Sequence, residues 1–238
     1  MKRHYLVTLA AVALAIVLGS GTARADILVL GSGSNTIYMS VGTVGGGSFG
    51  QTSPDKLNLV VLPWVYCVDF FDTVGLGATY LNATVTHDGT IAGSSANTSG
   101  LVGYTGPAGT LTVVKDDVDV AWLLHNYATA AIGNTNLQIG LQAAIWHEIY
   151  GNTMYLKTTG LTNSAAAIAA YNADLLALPG SPTNYVGDYA WLSPAGALHT
   201  PVDQGLVTDA VVPDGGVTLM LLGGALVGLE TLRRRFRV

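Results

Sequence analysis

Residues Leu57 to Phe71 read "LNLVVLPWVYCVDFF". β-Branched and aromatic side chains fill the stretch, which is the composition of strands rather than helices. Working outward, "ILVL" (Ile27–Leu30), "TIYMSVG" (Thr36–Gly42) and "YLNATVTH" (Tyr80–His87) have the same character. Gly45-Gly46-Gly47-Ser48 marks a flexible turn or loop, and the Gly/Ser-dense segment Asp88 to Thr110 reads as a long loop or hairpin.

From about Asp116 the period becomes helical. Asp116, Asp117 and Asp119 favour a helix N-terminus, and Val120, Leu123, Leu124, Tyr127 and Ala131 form an apolar stripe. A second helix covers about Leu137 to Tyr150. A third runs from Ser164 to Leu178, with Ile168, Tyr171, Leu175 and Leu178 on one face and Pro179-Gly180 as its stop. Strands followed by helices predict an α+β fold. The expectation is one domain over residues 26–211, with a β-sandwich or barrel-like core and an inserted helical portion from about 116 to 178. The aspartates lack the spacing and glycine of an EF-hand, so capping is the better account of them.

Charge narrows the function classes. Every arginine lies at Arg3, at Arg24 or in the last six residues, so three lysines face thirteen acids between Asp26 and Asp209, a formal balance of −10. Nucleic acid and anionic membrane are poor partners for such a surface. The acidic, Gly/Ser/Thr/Asn-rich composition suits an extracellular domain. Asn82-Ala83-Thr84 and Asn97-Thr98-Ser99 match glycosylation sequons, which occur by chance in a bacterial chain.

Both ends carry sorting features. Lys2, Arg3 and His4 precede an almost wholly apolar run from Tyr5 to Leu18, and Ala23-Arg24-Ala25 supplies a small-x-small site. Residues 1–25 are therefore expected to be a signal peptide, cut between Ala25 and Asp26. At the other end, Val212-Pro213-Asp214-Gly215-Gly216 leads into an apolar segment, Val217 to Leu232, and then Arg233, Arg234, Arg235 and Arg237. A helix of that length spans about 24 Å, short of the roughly 30 Å hydrocarbon core. Glu230 inside it adds cost, which Arg233 and Arg234 partly offset from three and four residues along. The segment is a marginal transmembrane helix whose basic end stays cytoplasmic.

This three-part layout resembles a PEP-CTERM sorting signal over residues 212–238, in the variant with a Val-Pro-Asp-Gly-Gly motif instead of Pro-Glu-Pro. The resemblance implies transient insertion in the inner membrane and removal by an exosortase-type membrane transpeptidase. The mature chain would then lie at the cell surface or outside the cell, in a bacterium that makes extracellular polysaccharide. The plain alternative is an ordinary tail anchor.

Cys67, within the opening stretch, is the chain's single cysteine. It can form no internal disulfide, and a free cysteine often serves as a small buried apolar residue. In "LQIGLQAAIWHEIYG" (Leu137–Gly151), Ile139, Gln142, Trp146 and Ile149 with Tyr150 recur at helical spacing. Gln142 thus falls in an apolar stripe, where an unpartnered carboxamide costs roughly 1–3 kcal/mol. A backbone carbonyl, a water or a cysteine would satisfy it. A thiol held against a carboxamide can displace ammonia and leave an internal thioester, provided water is excluded. Tyr66, Trp146 and Tyr150 are placed to supply that shelter.

Tyr66-Cys67-Val68-Asp69, followed by "VAWLLHNYA" (Val120–Ala128) and Leu141-Gln142-Ala143-Ala144-Ile145-Trp146, resembles a bacterial surface thioester domain. That family carries Tyr-Cys-Ile-Asp and Thr-Gln-x-Ala-x-Trp, so Leu141 departs from its threonine. The resemblance implies a Cys67–Gln142 cross-link in a covalent adhesin, opened once by a protein amine or a polysaccharide hydroxyl. The alternative is a matrix or structural protein associated with exopolysaccharide, with Cys67 a buried free thiol. An enzyme is not expected. A cysteine hydrolase needs a histidine beside Cys67, and His87, His125, His147 and His199 lie in no catalytic signature. His147-Glu148 lacks the second histidine of a zinc helix. Neither a metal nor a cofactor is expected.

Overall fold

The computed structural model describes residues 26–46, 52–70, 73–92, 111–194 and 204–210. The expected signal peptide with Ala25, the motif Val212, Pro213, Asp214, Gly215 and Gly216, and the apolar segment with Arg233, Arg234, Arg235 and Arg237 lie outside them.

Eleven short strands are present: β1 (Asp26–Val29), β2 (Asn35–Met39), β3 (Gly42–Gly46), β4 (Lys56–Leu57), β5 (Val60–Val61), β6 (Val65–Cys67), β7 (Thr79–Thr86), β8 (Thr90–Ala92), β9 (Leu111–Val113), β10 (Tyr189–Ser193) and β11 (Leu206–Asp209). Three helices follow β9: α1 (Asp117–Ala131), α2 (Thr135–Tyr150) and α3 (Ala165–Ala177). The chain is α+β. Seven strands form one curled, half-barrel sheet in the order β5-β4-β1-β7-β10-β11-β6, and every pairing in it is antiparallel. Two separate hairpins, β2–β3 and β8–β9, stand beside it.

The opening stretch is not one strand. It breaks into β4's end, β5 and β6, because Leu57 pairs with Val60 across a two-residue turn at Asn58 and Leu59. Both turn residues have positive φ, 51° and 72°. Asparagine tolerates that region, and Asn58 is further tied by its side chain, which donates to Asp26 and accepts from the Ile27 N–H.

The glycine run also differs from expectation. Gly45 and Gly46 belong to β3, opposite Thr36 and Asn35, instead of forming a turn. A Cβ on Gly46 would stand 2.8 Å from Trp146 Cη2, 3.1 Å from Ile37 Cδ1 and 3.2 Å from the Gln142 Cγ. Glycine is what lets this hairpin lie flat on α2.

The helical portion agrees closely with the sequence pattern. Asp116 takes the N-cap position of α1 in left-handed geometry but caps nothing with its side chain; it pairs with Lys115 at 3.0 Å instead. Asn134 caps α2 and Ser164 caps α3 through side-chain oxygens. Helix α2 packs against both other helices. Eleven of its sixteen residues are buried, so it is the central helix of the fold and not an amphipathic one with a single apolar stripe. Gly140 permits the α2–α3 crossing: a Cβ there would meet Ala170 Cβ at 2.7 Å and the Tyr171 backbone nitrogen at 2.8 Å.

Candidate functional site

Strand β6 is an edge of the sheet, hydrogen-bonded on one side to β11 with Cys67 opposite Leu206. An edge strand leaves backbone N–H and C=O groups without ladder partners, and burying them unpaired is costly. Cys67 is fully buried. Its outward groups are met by one side chain. The Cys67 N–H donates to Gln142 Oε1 at 2.9 Å, and Gln142 Nε2 donates to the Cys67 carbonyl at 2.7 Å. The carboxamide thus stands in for a neighbouring peptide group. Its orientation is set by its partners, since an N–H requires an oxygen and a carbonyl requires an NH2.

Of the options open for Gln142, the structure therefore shows backbone satisfaction, and the backbone is that of Cys67 itself. Cys67 and Gln142 are brought together across 75 residues of chain. The thiol is not poised as a thiolate. Burial pushes it well above its ordinary value, and the carboxylates of Asp69 and then Asp55 add to the effect. Asp55, itself buried, is pushed up to about 6 by desolvation, against the lowering effect of the Gly31 N–H that it accepts.

The three expected shielding residues take different roles. Trp146 lies one helical turn beyond Gln142, is 1% exposed, and meets Phe70 edge-on at 5.0 Å. Trp146 and the Gln142 side chain both lie beside Gly46, within 3.2 Å of where its Cβ would stand. Tyr150 acts as an anchor: its hydroxyl accepts from the Phe70 N–H at 3.0 Å and lies 3.4 Å from Asp69 Oδ1. It thereby pins the segment after Cys67 to α2. Alternation along β6 sends the Tyr66 ring to the face opposite the Cys67 side chain, and it packs 5.6 Å from Trp64. The nearby Asp174 carboxylate adds to burial in raising its hydroxyl's pKa. The Tyr66 hydroxyl and Trp146 Nε1 are buried without a hydrogen-bond partner among the described residues.

Several contributors were not singled out in the sequence. Gly46 was hidden by its reading as a turn. Asn35 Nδ2 donates to Gln138 Oε1 at 3.0 Å, clamping the β2–β3 hairpin to α2 one turn before Gln142. Gln204 donates to the Asp69 carbonyl, closing the other flank. No local pattern announces either pair.

The described histidines are engaged elsewhere. His87 Nδ1 lies 2.9 Å from the Tyr189 carbonyl, and His125 stacks on Tyr185 at 3.7 Å. His147 Nδ1 is shared by the Met154 carbonyl and the Tyr171 hydroxyl, each at 2.9 Å. His199 lies outside the described residues. Among the described residues, no group of three or more His, Cys, Asp or Glu side chains is placed to hold a metal ion, and no helix is long and apolar enough to cross a membrane. Comparison with protein-family models, with curated proteins and with solved structures finds no match.

Proposed function

We propose that this chain is an exported cell-surface protein that attaches itself covalently to a target through an internal thioester between Cys67 and Gln142. In forming it, the Cys67 sulfur bonds to Gln142 Cδ, the Cδ–Nε2 bond breaks, and Nε2 leaves as ammonia with the thiol proton. The observation that carries the reading is the paired, buried contact of the Gln142 carboxamide with Cys67. Such positioning replaces a high effective concentration. The Cys67 N–H on Oε1 polarises the carbonyl and is aimed at the oxygen that gains charge during attack. The raised thiol pKa slows that attack, which suits a bond made once more than a repeated turnover, and on this reading the protein is not an enzyme.

Export belongs to the same proposal. The chain crosses the inner membrane, loses residues 1–25, and is held by its C-terminal helix until an exosortase-type transpeptidase acts near Pro213. The β-sandwich or barrel-like description of the core belongs here too, as the finer reading of the curled sheet. Intact mass of the purified protein, in fresh non-nucleophilic buffer, tests the thioester. A deficit of one ammonia is expected, absent in Cys67→Ala, and methylamine should add at Gln142 while exposing a thiol. A full-mass chain ends the proposal.

A second reading is a matrix or structural protein. It is favoured by the same contact seen differently: with both ends of the carboxamide paired to Cys67, Gln142 has a sufficient role as an edge cap. That reading expects no mass deficit and one thiol titratable on unfolding.

A further inference from the structure

Forming the Cys67–Gln142 thioester requires a proton acceptor as well as contact. Burial holds the thiol protonated, and an amide nitrogen departs as ammonia only after it gains a proton. The described histidines are engaged elsewhere: His87 and His147 meet carbonyls, and His125 stacks on Tyr185. Two carboxylates act on the Cys67 thiol, Asp69 and more weakly Asp55. Asp55 is committed to the Gly31 N–H at 2.7 Å. Asp69 stands two residues along the chain from Cys67 and is 4% exposed.

The backbone bends between them, with the N–H groups of Val68 and Asp69 both reaching the Gly205 carbonyl, at 2.9 and 3.3 Å. Past the bend, the Tyr150 hydroxyl donates to Asp69 Oδ1 at 3.4 Å and accepts from the Phe70 N–H at 3.0 Å. Gln142 and Tyr150, eight residues apart, lie along one stripe of α2. Residues 67–70 therefore run beside that stripe, held at Cys67 by Gln142 and at 69–70 by Tyr150, with Phe70 against Trp146 between them. Helix side chains lean toward the N-terminus, which carries the Tyr150 hydroxyl back toward Gln142. The Asp69 carboxyl thus faces the same helix as the Cys67–Gln142 contact. Buried carboxyls beside reacting groups are where proton transfer is found.

We infer that Asp69 is the general base of thioester formation, which takes the Cys67 thiol proton, directly or through one water, and returns it to Gln142 Nε2. The inference rests on the thioester proposed above. The S–H bond breaks as sulfur bonds to Cδ, the Cδ–Nε2 bond then breaks, and the proton held on Asp69 completes the departing ammonia. The carboxylate ends as it began. Its negative charge disfavours a free thiolate, so the proton moves with the attack and not before it. Tyr150 is a positioning residue, whose O–H orients the carboxylate.

Ammonolysis supplies the test. Ammonia opens the thioester of the denatured chain and restores both the carboxamide and the thiol. After refolding in ammonia-free buffer, intact mass follows the return of the deficit. Asp69→Asn should slow that return by about a hundredfold or more, and Asp69→Glu should recover part of the rate. Tyr150→Phe should slow it by about tenfold. The wild-type rate should fall toward acid pH as the carboxylate takes up its proton, and Asp69→Asn should lack that limb. Among the described residues, the other titratable groups that reach this pair are Tyr150 and Asp55, and Asp55→Asn should keep the limb. Asp72, outside the described residues, is the rival base, and Asp72→Asn is expected to react as wild type does. Urea midpoints show which variants fold. If Asp69→Asn does not, wild-type rates in both Asp69→Glu and Tyr150→Phe overturn the inference. A deficit that returns at the wild-type rate in folded Asp69→Asn, or that is slowed by Asp72→Asn instead, overturns it and leaves the thioester. No deficit in the fresh wild-type protein overturns both.

Discussion

Gln142 pairs with both backbone groups of Cys67, accepting at 2.9 Å and donating at 2.7 Å, in a site from which water is excluded. The two residues are therefore unequal as targets for mutation. Measured against the uncrosslinked chain, in which Gln142 keeps its Nε2, Gln142→Ala removes a buried side chain and orphans an N–H and a C=O together, an expected loss of about 3–5 kcal/mol. Against the same uncrosslinked chain, Cys67→Ala keeps both backbone bonds and removes one sulfur, for about 1 kcal/mol. Urea unfolding of the two variants checks the order. Equal losses would mean that the carboxamide pairing contributes nothing. Cys67→Ala is accordingly the control that removes the chemistry without removing the fold.

Gly140 should be the least replaceable glycine of the helical portion. Alanine in a helix interior normally gains about 1 kcal/mol over glycine. Here its Cβ would stand 2.8 Å from the Tyr171 backbone nitrogen, which has no rotamer by which to move away. Overpacking of that kind costs about 1–3 kcal/mol and outweighs the propensity gain. Gly140→Ala is expected to lower Tm by several degrees. An unchanged or higher Tm would mean that α2 and α3 separate without cost.

The buried carboxyls predict an unusual pH trend. Burial pushes Asp174 up to about 7 and Asp55 up to about 6, from an ordinary 3.8. The folded state therefore holds protons that the unfolded chain has released. This source favours folding below about pH 4 and its contribution is lost as pH rises through the two folded values. Asp174→Asn should accordingly stabilise the protein by on the order of 2 kcal/mol at pH 8 and much less at pH 4. Thermal melts of both proteins across that range are the check, and parallel curves would contradict it.

The helices were legible because each carries a long periodic pattern, and α3 begins at the Ser164 that caps it. The apolar run of α2 was legible too, although its burial on nearly every side made the single stripe an undercount. Strands β10 and β11 were not read. Every residue of β10 is buried, so "YAWLS" shows no alternation, and its partners β7 and β11 are distant or short. That Gln142 needs a partner was legible in its place among apolar helix positions; that the partner is Cys67 was implied only by the resemblance to a surface thioester domain. The close approach at Gly46 and the pairing of Asn35 with Gln138 arise only when the β2–β3 hairpin lies on α2, which no window of sequence contains.

Gly46 joins the fold to the site, and its replacement gives the last prediction. A Cβ at this position meets the Trp146 ring at 2.8 Å and Gln142 Cγ at 3.2 Å. Neither side chain can yield freely, since both are fully or almost fully buried and Gln142 is held at both ends. The hairpin must lift, although Asn35 directly across from Gly46 is tied to Gln138. Gly46→Ala should cost about 1–3 kcal/mol and open a path for water to the Gln142 carbonyl. Two readouts separate these effects: the urea midpoint falls, and the ammonia deficit of the fresh protein decays to a hydrolysed mass faster than in wild type. A lower midpoint with an unchanged decay would mean that Gly46 serves packing alone and that Trp146 by itself keeps the acyl group dry.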